Sequence, residues 1–124
     1  IMAKLIPDAI IDAQLALTEG DVINVCAGQP TTYTEATVTF NLASQALVGG
    51  DFVAANGDGS GRKWTLTPPT GTNVDTSGTA DHVAITNAGD TSIRLVTTLT
   101  TSTALTSGNT VDINPFDNEI SDPA

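Results

Sequence analysis

From Thr79 to Ile120 the chain alternates short Thr- and Val-rich runs with Asn/Gly turns, and a side-chain period of two commits such a chain to sheets. Residues 82–86 put Val83 and Ile85 on one side and His82, Ala84 and Thr86 on the other, the pattern of a half-buried strand. Asn87-Ala88-Gly89-Asp90 follows with residues that tolerate positive φ, after which Ile93 and Leu95 alternate against Ser92 and Arg94. This is a hairpin signature. Leu95 to Leu99 extends its second strand, Ser107-Gly108-Asn109 turns the chain, and Val111 and Ile113 open a last strand.

Upstream, residues 7–19 give the one helical pattern. Pro7 suits a first turn, Asp8 and Asp12 complement the dipole, and Gly20 offers an exit. Ile10, Ala13 and Leu17 line one stripe and Ile11 and Leu15 widen it, so the helix must pack on its own sheet or on a neighbouring subunit. Asp21 to Ala27 is an apolar, central strand ended by Gly28 and Gln29-Pro30. Residues 31–50 mix both periods and are expected to be irregular. Residues 56–61 form a loop, Lys63 to Thr67 resumes a strand with Trp64 and Leu66 on one side, and residues 68–79 make a long polar connection or a weak edge strand. Five to seven short strands, turns every 8 to 12 residues and one N-terminal α-helix predict a mainly β fold, a sandwich or barrel-like arrangement of antiparallel sheets.

Residues 2–124 are expected to form one domain with short terminal arms, a length that buries about two-thirds of the unfolded surface without disulfides or metal. Ile1 precedes Met2, an ordinary start, and is left out of the fold. Few aromatic residues are present, so the core must be built from Val, Ile, Leu and Ala. The formal charge of −10 comes from 14 acidic against 4 basic residues, a field of the wrong sign for a nucleic-acid partner. No apolar run approaches the roughly 18 residues of a membrane span, and no secretory layout opens the chain, so neither membrane nor secretion is expected.

Few residues suggest chemistry. Cys26 is the single cysteine and reads as a small buried hydrophobe; a catalytic thiol would need His82, the single histidine, as its base. Asn56-Gly57-Asp58-Gly59-Ser60-Gly61 opens like a calcium loop, but Thr67 stands where a bidentate Glu is required and no helix flanks it, which favours a plain hairpin loop. Asp112, Asp117, Glu119 and Asp122 crowd the C-terminal end. In a strand Asp117 and Glu119 would share a face about 7 Å apart, a glycosidase-like spacing that any i, i+2 acidic pair has. Arg62 and Lys63 are the only adjacent basic pair, available either to Asp58 or to an acidic partner surface. No nucleophile elbow, P-loop or dinucleotide fingerprint is present, and no enzyme activity, metal or other cofactor is expected.

Four stretches carry a family resemblance: LIPDAIIDAQLALTEGDVINVCAGQPTTYTEAT, GDGSGRKWTLTP, TADHVAITNAG and ALTSGNTVDINPFDNEISDP. Together they resemble a family of small structural proteins encoded by tailed bacteriophages and prophages, with Phe116-Asp117 matching an aromatic-Asp pair near the family's final strand. The resemblance implies a virion component. Within that class, a decoration or cement protein on the outer capsid fits a small, acidic, β-rich chain, with the major capsid protein as partner and a homotrimer as the expected oligomer. It would be made in the host bacterial cytoplasm and end on the capsid surface. Arg62, Lys63, Phe116 and Asp117 are the expected partner contacts. The alternatives are a tail, collar or fibre component and, further off, a carbohydrate-binding module using Trp64 and the few other aromatics.

Overall fold

The computed structural model describes residues 7–120. Helix α1 (Asp8–Ala16) is followed by nine strands: β1 (Val22–Cys26), β2 (Asn41–Ala46), β3 (Phe52–Asn56), β4 (Arg62–Leu66), β5 (Thr72–Asn73), β6 (Gly78–Asn87), β7 (Ser92–Leu105), β8 (Thr110–Val111) and β9 (Phe116–Ile120). They form a four-stranded sheet in the order β2-β1-β6-β7, a three-stranded sheet β3-β4-β9 and the ribbon β5-β8, with every pairing antiparallel. The fold is therefore mainly β and sandwich-like, with one N-terminal α-helix, as the alternation predicts.

Strand β1 is central, with Ile23 opposite Ile85 and Val25 opposite Val83 on the inner face. Those residues meet Trp64 and Leu66 of the second sheet and Ile11 and Leu15 of α1 in the main core. Trp64 organises that core: Phe52 and Phe116 stand edge-on to it at 4.9 and 6.0 Å, and its indole N–H donates to the Leu15 carbonyl and the Thr18 hydroxyl at 3.2 and 2.9 Å. The helix is thus pinned to the second sheet by packing and by hydrogen bonds.

The expected helix stripe is corrected. Ile11 and Leu15, an i, i+4 pair, are buried, whereas Ile10 and Leu17 are 52% and 66% exposed and Ala13 is exposed. The helix is apolar nearly all round, so contact with Trp64 selects the face that is buried. Beyond it the chain crosses β6 closely at Gly20, where a Cβ would collide with the Thr86 carbonyl.

The outer face of the larger sheet is partly covered by a π-helical turn, Glu35–Thr39, inside the stretch expected to be irregular. Ala36 packs there on Cys26 and Ala84, with Phe40, Ile93 and Val96 around them. The same stretch continues as β2, a strand not resolved by the sequence pattern. The last strand is likewise corrected: Val111 belongs to the two-residue β8, Ile113 is in no strand, and the final strand is Phe116–Ile120. Within the expected long connection, Thr72–Asn73 is the edge strand β5. Of the expected C-terminal tail, Glu119 and Ile120 lie in β9 and the rest falls outside the described residues.

At the β6–β7 turn, positive φ falls on Thr91 (50°), one residue past Asn87-Ala88-Gly89-Asp90. A β-branched residue is strained there. Thr91→Asn should raise stability by roughly 0.5–1 kcal/mol, read from the urea midpoint; an unchanged or lower midpoint would contradict the strain.

Candidate functional site

The three described cations are each neutralised within the fold. Arg62 reaches α1, with Nε on Asp12 at 2.9 Å and Nη1 on Asn56 at 2.8 Å. Lys63 lies between Asp58 at 2.8 Å and Asp117 at 3.2 Å, and Arg94 pairs with Asp90 at 2.6 Å while donating to the Leu17 carbonyl at 3.1 Å. Register places Thr65 opposite Asp117 and Leu66 opposite Phe116, so Arg62, Lys63, Phe116 and Asp117 all lie on the β4–β9 pair. They do not form one surface patch. Phe116 turns into the core against Trp64, Arg62 reaches toward α1, and Lys63 pairs with Asp117, which also accepts the Thr65 hydroxyl at 2.6 Å.

Residues 57–61 join β3 to β4, so the calcium-like motif is a hairpin loop. Its oxygens have other work: Asn56 accepts from Arg62, Asp58 accepts from Lys63, and Glu119 accepts the Asp58 backbone N–H at 3.0 Å. Among the described residues, no group of three or more His, Cys, Asp or Glu side chains converges as metal ligands would.

Cys26 and His82 are directly opposite in the β1–β6 register, and His82 Nδ1 lies 2.8 Å from Asp81 Oδ1. Seen as residue types alone, that is a Cys-His-Asp set. The surroundings of the thiol disfavour its thiolate, however. Cys26 is fully buried, its S–H points to the Ala36 carbonyl at 3.6 Å, and burial, followed by the charge of Asp81, pushes its pKa up to about 11. A thiol reagent at pH 8 should therefore label the native protein only as fast as it unfolds; rapid native labelling would refute the buried environment. The sign at alkaline pH also follows. A raised folded pKa gives stability that is complete below the ordinary thiol value of about 8.5 and lost as pH climbs through 11.

At the acid end the signs reverse. Asp81 is held below the usual carboxylate range by His82 and then by the Gly28 N–H, Asp90 by the Ser92 hydroxyl, Asp117 by Thr65 and then Lys63, and Glu35 by the Thr31 hydroxyl and N–H. Their contribution is complete above the unfolded values near 4 and lost as pH falls through the lowered folded values. Glu19, raised by burial, works in the opposite direction. The melting temperature should fall steeply below about pH 4. A flat profile down to pH 2 would mean that these hydrogen bonds are absent in solution.

A groove of about 490 Å³ lies on the inner side of β7. It opens because the four-stranded sheet is wider than the three-stranded one, leaving β7 facing residues 111–117 across a floor of Val25, Ala80 and Val83. Asp112 and Asp117 lie along it. Neither the groove nor the buried Asn24 network beneath the π-helical turn was foreseeable, since each is assembled from residues far apart in sequence. No family model, no curated protein and no solved structure matches this chain.

Proposed function

We propose that this chain is a structural component of a tailed-phage virion, a decoration protein that binds the outer capsid lattice and stiffens it by bridging capsid subunits. The observation that carries this reading is the charge layout. A chain of net charge −10 ties each of its described Lys and Arg side chains into ion pairs within the fold, so among the described residues none is left unpaired to offset the acidic side chains. Such a surface repels packaged genome, stays soluble at high local concentration and leaves hydrogen-bonding and apolar patches to make contacts. The sandwich-like sheets and the resemblance of the four sequence stretches to phage structural proteins support the same reading.

On this reading the partner is the major capsid protein, and a trimer at a threefold position is the natural oligomer. Each copy would contribute a modest interface, on the order of 1,000 Å² or more, repeated over the lattice. The protein would be made in the host cytoplasm and carry no catalytic step. A sugar-binding role has less to stand on, because Trp64 is buried with Phe52 and Phe116 edge-on to it.

Quantitative mass spectrometry of purified particles provides the test. Hundreds of copies per virion are expected, together with a higher temperature of capsid rupture when the protein is added back to particles that lack it. A few to some tens of copies would move the assignment to a tail or collar. Absence from mature particles would end the virion reading.

A further inference from the structure

We propose that the free edge of β7 and the groove beside it form a docking site for one extended peptide segment of a partner protein, apolar at alternate residues and flanked by lysine or arginine. The site stands on its own geometry, whether or not the partner is a capsid subunit.

The groove meets the edge of the strand as well as its inner face. Residues of both parities, among them Thr97, Thr98 and Leu99, line one wall, and every residue from 111 to 117 lines the other. Among the described residues β7 has no strand on its outer side. A strand laid there would find backbone N–H and C=O groups that no described strand pairs, alongside an apolar trough, so alternate side chains could enter the groove while its backbone continued the sheet. An acyl chain or a small apolar molecule would fill the trough but leave those backbone groups unmatched.

This edge also lacks the protection that the others have. Strand β2 is partly covered by the Ala43–Val74 bridge, β3 is five residues long, and β9 is short and carries Asp117 and Glu119. By contrast β7 runs for 14 residues, and Leu95 to Val111 contains neither a charge nor a proline. Its one irregularity discriminates between occupants. Ala80 pairs with Thr103 and His82 with Thr98, so two steps on β6 face five on β7 and the strand bulges between them. A bulge of that size prevents a long, flat edge from zipping onto its own copy, yet leaves short stretches open to a flexible segment.

Charge sets the chemistry of the flanks. Asp112, exposed on the groove, accepts the Gly71 N–H at 2.7 Å and has no cationic partner among the described residues, whereas Asp117, on the same wall, is paired with Lys63. A second copy would bring the same net charge of −10. A lysine-flanked segment would meet the opposite sign and so dock faster and more tightly at low salt.

The test uses the full chain, isotope-labelled for NMR, and two acetylated synthetic peptides of alternating valine and threonine, one capped by lysine at both ends and the other by glutamate. The lysine peptide should shift amides of residues 97–103 and 111–117 and bind about tenfold tighter than the glutamate peptide at low salt. Thr101→Lys, at an exposed position, should keep the melting temperature and weaken the lysine peptide about tenfold. Three results would overturn the proposal: no saturable shifts up to about 1 mM peptide, equal binding of both peptides, or a chain that already dimerises with its β7 amides protected before any peptide is added. The last would make a second copy the occupant.

Discussion

Trp64→Ala is expected to remove about 3–5 kcal/mol of folding free energy, the largest loss of any single substitution considered. The side chain is 2% exposed, sits between Phe52 and Phe116, and holds the end of α1 through the Leu15 carbonyl and the Thr18 hydroxyl. Truncation opens a cavity and frees two hydrogen-bond acceptors at once. A typical domain has only about 5–15 kcal/mol in hand, so the variant should be marginal at 37 °C. Trp64→Phe separates the contributions: the ring packing is largely kept while the indole N–H is lost, at a cost of about 1–2 kcal/mol. Urea unfolding followed by far-UV circular dichroism measures both. If Trp64→Ala cost less than about 1.5 kcal/mol, Trp64 would not be the keystone of this core.

Asn24→Leu is expected to cost roughly 2–4 kcal/mol although it adds apolar bulk at a buried site. Asn24 is 1% exposed in the middle of β1, and its amide is fully engaged. Its Nδ2 donates to the Ala84 carbonyl at 3.3 Å and the Thr86 hydroxyl at 3.0 Å, while its Oδ1 accepts from Asn41 at 3.2 Å and from Ser44 at 2.8 Å. Asn41 in turn donates to the Ala36 carbonyl at 3.1 Å, so the network ties β1, β2 and β6 to the π-helical turn. Leucine leaves the buried Ala84 carbonyl and Thr86 hydroxyl without their bonds where water has little access, while half-buried Asn41 and exposed Ser44 lose a partner nearer the surface. The single variant Asn41→Leu should also destabilise, and the double variant should cost less than the sum, by about 1 kcal/mol or more. Strict additivity would mean that the two amides act separately.

The parts of the fold that were legible in the sequence are those specified within a few residues. The alternation of Val83 and Ile85, the apolar run of β1, the inward Trp64-Leu66 pair and the Pro7 entry to α1 all found their places. Elements settled by distant contact were not legible. Strand β2 follows a π-helical turn whose placement depends on Cys26 and Ala84, and β5 and β8 exist only because each pairs with the other. The choice of the Ile11-Leu15 face over Ile10-Leu17 was made by Trp64, 49 residues on from Leu15. The candidate sites divide in the same way. Lys63 finding Asp58 is a five-residue matter and was readable, whereas Arg62 finding Asp12 spans 50 residues and was not. The groove draws its walls from β7 and residues 111–117 and its floor from β1 and β6, so no local pattern announces it.

The central position of β1 has a consequence for biosynthesis. This strand is translated well before β6, one of its two neighbours, with Asn24 and its partner Thr86 separated by 62 residues. Until that stretch has been translated, one flank of the most apolar strand stays open, and only then can the β6–β7 hairpin, built from local contacts, slot in beside it. Ribosome-bound chains that end before residue 82 should accordingly lack the larger sheet and recruit chaperones, and completion should bring the fold together late and in a single cooperative step.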